Sequence, residues 1–97
     1  MITRIVKMTF REDEVPTFRR HFEEHHQLIR NFAGCEKLML WQDINDSCVF
    51  FTYSWWQDKA DLEAYRQSDL FKSVWAKTKV LFKARPEAWS VESLIEV

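Results

Sequence analysis

Apolar and polar positions alternate with a period of two over Ile2 to Phe10, where Ile2, Val6, Met8 and Phe10 share one face and Thr3, Ile5, Lys7 and Thr9 the other. This predicts a first strand whose second face is half polar. After a turn at Arg11 to Asp13 the period lengthens to that of a helix, from about Glu14 to Phe32, with Val15, Phe18, Phe22, Ile29 and Phe32 recurring on one side. Asp13 can cap this helix, Pro16 is tolerated in its first turn, and Gly34, the only glycine of the chain, ends it. Glu36 to Asp43 reads as a second strand, with Leu38 and Leu40 on one side and Met39 and Trp41 on the other. Asn45 and Asp46 then turn it into a third strand.

That third strand opens the most informative stretch, Cys48 to Trp75, because both of its faces carry apolar groups: Cys48, Phe50, Thr52 and Ser54 against Val49, Phe51, Tyr53 and Trp55. A strand of this kind must be covered on both sides. Asp58 caps a short helix to about Gln67, and Ser68 and Asp69 start a longer one to about Ala84. Its Leu70, Phe71, Val74, Trp75, Thr78, Leu81 and Phe82 form a stripe opposite Lys72, Lys77, Lys79 and Lys83. Pro86 forbids continuation, and Glu87 to Val97 reads as a last strand.

The order β-α-β-β-α-β predicts an α+β, ferredoxin-like fold, with a four-stranded antiparallel sheet carrying its helices on one face. Met39, Trp41, the third strand, and the alternation of Trp89, Val91 and Ile95 supply apolar groups for the opposite face, which predicts a homodimer formed sheet to sheet.

Ninety-seven residues make one domain, residues 1–97, with no repeat or linker. Aromatic residues reach 15%, more than a small solvated domain needs, so part of the aromatic surface is expected to face a ligand or a partner. A formal net charge of −1, with lysines interspersed among carboxylates, argues against nucleic acid and anionic membrane as partners. Arg4 and Lys7 interrupt the apolar start, and no apolar run approaches the ~20 residues of a membrane span; a cytoplasmic location is expected. Hairpin pairing sets Cys48 near Asp43 and Cys35 near Trp56, leaving the sulfurs roughly 23 Å apart, beyond disulfide reach.

The residues Ser54-Trp55-Trp56-Gln57-Asp58, Leu62-Glu63-Ala64-Tyr65 and Ser68-Asp69-Leu70-Phe71, with Phe32-Ala33-Gly34-Cys35 as the turn into the second strand, resemble the antibiotic biosynthesis monooxygenase family. The resemblance implies a dimeric α+β barrel with a ligand cleft between sheet and helices in each subunit. It also implies either cofactor-independent oxygenation of quinol-like or polycyclic aromatic substrates, or haem degradation, or a member without assigned activity. Tyr65 stands where relatives resembling quinol monooxygenases carry a histidine. Where the haem-degrading members have asparagine, tryptophan and histidine, the resemblance puts Lys7, Tyr65 and Trp75, so the proximal iron ligand is missing and haem degradation is disfavoured.

Candidate chemistry follows from residue type and position. Tyr65 shares a helical face with Leu62, and its phenol can donate to a carbonyl or phenolate; its bland alternative is a core tyrosine. His21, His25 and His26 all lie on the first helix. His21 and His25, four apart, share a face, but no third metal ligand stands out, and no metal is expected. His25 and His26 flank the apolar stripe, so at least one sits at the rim of the cleft, where an imidazole can take a proton from a substrate hydroxyl. Trp55 or Trp56, with Phe22, Phe71 and Trp75, would form the cleft wall; the tryptophan doublet leaves its register open, and Asn31 and Tyr53 are lesser candidates. No catalytic triad, CxxC, HExxH or phosphate-cradling loop is present. The expectation is a monooxygenase needing no cofactor and acting on a small aromatic molecule. The alternative is a non-catalytic dimeric binding or structural module.

Overall fold

The computed structural model describes residues 1–97. Its elements run β1 (Ile2–Thr9), α1 (Val15–Arg30), β2 (Cys35–Gln42), β3 (Val49–Trp56), α2 (Lys59–Arg66), α3 (Asp69–Lys79) and β4 (Glu87–Val91), with a single 3-10 turn at Glu12–Glu14. The four strands form one antiparallel sheet in the order β2-β3-β1-β4. This is the ferredoxin-like α+β arrangement that the periodicities predict.

Register assigns every sheet side chain to a face. Ile2 pairs with Trp56, Arg4 with Ser54, Val6 with Thr52 and Met8 with Phe50 across β1 and β3. Because side chains alternate along a strand, these residues, together with Leu38 and Leu40 of β2, look toward the helices. Lys7, Trp41, Phe51, Tyr53, Trp55 and Trp89 look away from them. The main core lies on the helix side, where Met8, Phe10, Phe18, Phe50 and Leu81 are buried together. A second cluster of Cys35, Trp56 and Leu62 closes the other end.

The caps expected for α2 and α3 form. Asp58 Oδ1 accepts from the amide of Asp61 at 2.9 Å, and Ser68 Oγ accepts from that of Phe71 at 3.1 Å. Gly34 has φ +86°, a left-handed conformation that glycine adopts without penalty, and a side chain there would run into Asp61. Its carbonyl accepts from the amide of Gln57 at 2.8 Å, tying the start of β2 to the end of β3.

Three boundaries differ from the sequence expectation. The first helix is shorter than Glu14 to Phe32, and no side chain caps its start, Asp13 being part of the preceding 3-10 turn. α3 stops at Lys79 rather than Ala84, because the following residues bond to the end of β1: Arg11 N donates to Leu81 O, and Lys83 N to Thr9 O at 2.8 Å. Those long-range bonds outweigh the local helical pattern. The last strand ends at Val91, which pairs with Thr3, rather than continuing to Val97. Leu94 and Ile95 therefore lie off the sheet, 88% and 85% exposed.

Candidate functional site

Between the helices and the sheet, side chains of both core clusters enclose a cavity of about 340 Å³, with most of its lining apolar. That volume suits a small aromatic ligand. One wall is a run of touching rings. Trp56 stacks on Tyr65 with centroids 4.9 Å apart, Tyr65 meets Phe71 edge-on at 5.2 Å, and Phe71 stacks on Trp75 at 6.0 Å. Local chemistry explains why these rings line up. The Trp56 indole donates to Ser54 Oγ at 3.0 Å, and Ser68 Oγ donates to Tyr65 O at 2.6 Å while capping α3. One serine thus joins the end of α2 to the start of α3 and fixes Tyr65 relative to Phe71.

α1 supplies the opposite wall through Phe18, His21, Phe22, His25 and Ile29. A carbonyl oxygen can only accept, so both histidine tautomers follow from their partners. His21 Nε2 donates to Val74 O at 3.1 Å, and His25 Nδ1 donates to His21 O at 2.8 Å. In neutral His25, Nε2 then carries the lone pair, on a ring lining the cavity, and can accept a proton. No third histidine, cysteine or carboxylate joins this pair in a group able to hold a metal ion.

Tyr65 has the opposite character. Burial, and secondarily the neighbouring Cys35, raises its phenol well above the ordinary tyrosine range, which favours the protonated phenol, a potential hydrogen-bond donor, over the phenolate. Its hydroxyl makes no hydrogen bond within the protein. The Cys35 thiol is likewise raised, chiefly by burial, and its sulfur leans on Lys37 O at 3.7 Å, which suits a packing residue and not a nucleophile.

The structure brings together Tyr65, His25, Trp56, Phe71, Trp75 and Phe22 of the expected site residues. His26 lies elsewhere. It lines a wider groove of about 570 Å³ outside the cavity, between α1 and the edge strand β2, with Arg19, Glu23 and Arg30. Of the tryptophan doublet, Trp56 faces the helices, whereas Trp55 is on the far side of the sheet. There its indole donates to the Tyr53 hydroxyl at 2.7 Å, and Lys37 Nζ sits 4.5 Å from its ring. Tyr53 is on that far side too, and Asn31 is the exposed C-cap of α1. Lys7 also points away from the cavity, so it does not occupy the place of a cleft asparagine.

Two arginines were absent from the expectation. Arg4 and Arg66 both line the cavity. A signal for each exists in the sequence: Arg4 interrupts the otherwise apolar row Ile2, Val6, Met8, and Arg66 lies four residues after Leu62 on the helical face that also carries Tyr65.

Residues 1–77 match the sequence profile of the antibiotic biosynthesis monooxygenase family. The chain belongs to that family. A solved antibiotic biosynthesis monooxygenase is similar with TM-score 0.91 and 15% identity, over 98% of this chain and 100% of the other. A Mycobacterium tuberculosis protein gives 0.89 and 16%, over 98% and 96%, and a Pseudomonas aeruginosa protein 0.85 and 23%, over 97% and 94%. At such identities the likeness is one of fold. Curated protein sequences yield no match. The family profile covers β1 through most of α3, and therefore every element that contributes a ring to the cavity wall. No helix of this family member is long and apolar enough to cross a membrane.

Proposed function

We propose that the protein is a cofactor-independent monooxygenase of an electron-rich phenol or quinol that binds in the aromatic cavity. The observation carrying this reading is the pairing, in one apolar cavity, of an imidazole with a bare nitrogen (His25 Nε2) and a phenol held protonated (Tyr65). In this reading His25 takes the substrate's acidic proton, and the resulting phenolate, with its charge delocalised onto ring carbon, reduces dioxygen. A carbon–oxygen bond forms, the peroxide is protonated, and water leaves to give a quinone. One substrate and one dioxygen yield one quinone and one water, with all electrons supplied by the substrate. Tyr65 donates to the substrate oxyanion, and the ring wall keeps bulk water from the reduced intermediates. His26 and Trp55 have no part in this scheme.

We also propose that two subunits associate through the far face of the sheet. Only 13 of the 97 residues are buried in the single chain, while Trp41, Trp89 and Val91 are 40–46% exposed on one face. Covering such a face stabilises a small fold that buries little by itself.

The second reading, a dimeric binding module without turnover, is favoured by Tyr65 standing where quinol-oxidising relatives are expected to carry a histidine. Oxygen uptake with a panel of quinols separates the two. Uptake by the wild type that falls in Tyr65→Phe and His25→Ala supports the enzyme, and no uptake with any quinol supports the module.

A further inference from the structure

Every helix-facing residue of β1 other than Arg4 is apolar, and that face opens onto a mostly apolar cavity. A charge in such a row is costly unless something compensates it. Within the protein little does. Its cross-strand neighbours are Ser54 and Ser90, and its side chain makes one hydrogen bond, from Nη1 to Ser90 Oγ at 2.9 Å. No carboxylate lies within ion-pair distance of it. A guanidinium has five N–H donors, so most of its donor capacity is unspent.

A second guanidinium deepens the imbalance. Arg66, in the last turn of α2, lines the same cavity, and its ion-pair partner, Glu63 at 3.5 Å, is a half-exposed residue of its own helix. Glu87 also lines the cavity, but its register pairs it with Lys7, whose side chain is on the far face. Burial first, and the charge of Arg66 second, make the protonated form of Arg4 harder to hold than in water, with Glu63 working weakly the other way. Arg4 is half-buried and the Arg66 side chain is 44% exposed, so water solvates both like charges in the free protein, and a neutral aromatic ligand filling the cavity would displace part of that water without replacing its hydrogen bonds.

From this arrangement we infer that the ligand is an aromatic carboxylic acid, with its ring on the Trp56–Tyr65–Phe71–Trp75 wall and its carboxylate received by Arg4 and Arg66. A guanidinium matches the two oxygens of a carboxylate with parallel donors, and the interaction strengthens in an apolar setting. The inference rests on the proposed aromatic-binding role of the cavity and specifies its substrate class. It also gives orientation: the anionic end sits by β1 and the end of α2, which leaves the electron-rich part of the ring for the α1 side, where His25 lies.

The test is binding, measured by quenching of tryptophan fluorescence at pH 8, with 2-naphthoate and its neutral counterpart 2-naphthamide. The wild type is expected to prefer naphthoate about tenfold or more, and the preference should shrink with added salt. Arg4→Met, apolar like its row, should cut the preference severalfold with Arg66 alone remaining, mainly by weakening naphthoate binding, and Arg4→Lys should retain more of it. A cooperative melting transition of ligand-free Arg4→Met close to that of the wild type checks that the variant folds. Equal binding of both probes by the wild type, or a preference undiminished in Arg4→Met, overturns the carboxylate site and leaves the aromatic cavity standing. Binding of neither probe overturns both.

Discussion

Tyr65 shows how burial chooses a residue's chemistry. Its ring is flanked by Trp56, Phe32 and Phe71, and the loss of water raises the phenol above its ordinary range. The folded protein therefore binds that proton more tightly than the unfolded chain does. By linkage, the associated stability is fully present below the unfolded value of ~10 and is lost progressively as pH rises above it. Unfolding midpoints in urea at about pH 9 and about pH 11 should fall for the wild type, and Tyr65→Phe should fall less. Equal losses in the two proteins would mean that Tyr65 is not the group responsible. In the proposed scheme the proton acceptor is instead His25, whose Nδ1 is already committed to the His21 carbonyl.

At the scale of elements, the site depends on the junction between α2 and α3. Ser68 caps α3 through Phe71 N and bonds Tyr65 O, so Ser68→Ala should cost about 1 kcal/mol of stability by urea denaturation, as the loss of an N-cap usually does. It should also weaken aromatic ligand binding, because two rings of the wall lose their common anchor; unchanged affinity would contradict that coupling. Both caps and the order of elements were legible in the sequence, since Asp58 and Ser68 stand before apolar runs of helical period. The extent of α3 was not. Its stripe continues through Leu81 and Phe82, yet bonds to Thr9 and Arg11, distant in sequence, draw those residues out of the helix. Nor could the Trp55-Trp56 doublet be placed by pattern, since β3 is apolar on both faces and only its register with β1 and β2 separates them. Arg4 and Lys7 both interrupt β1 in the sequence, and only the register shows that Arg4 faces the cavity while Lys7 faces away.

The whole molecule presents two aromatic surfaces, one enclosed and one open. The open one, on the far side of the sheet, carries Trp41 stacked on Tyr53 at 4.5 Å, together with Trp55 and Trp89. If a second subunit covers it, light scattering coupled to size exclusion should give twice the chain mass. Trp89→Glu, placing a charge where burial is required, should shift the protein to monomer; a wild-type monomer at tens of micromolar would contradict the proposed assembly. The enclosed surface is where, in the proposed function, His25 and Tyr65 support oxygenation. The most direct test of that role is oxygen consumption with an electron-rich quinol, or a quinol bearing a carboxylate, under metal-free conditions. One dioxygen should be consumed per quinone formed, with the rate lowered about 100-fold or more in His25→Ala. No consumption above the uncatalysed background, or an undiminished rate in His25→Ala, would contradict the proposed function.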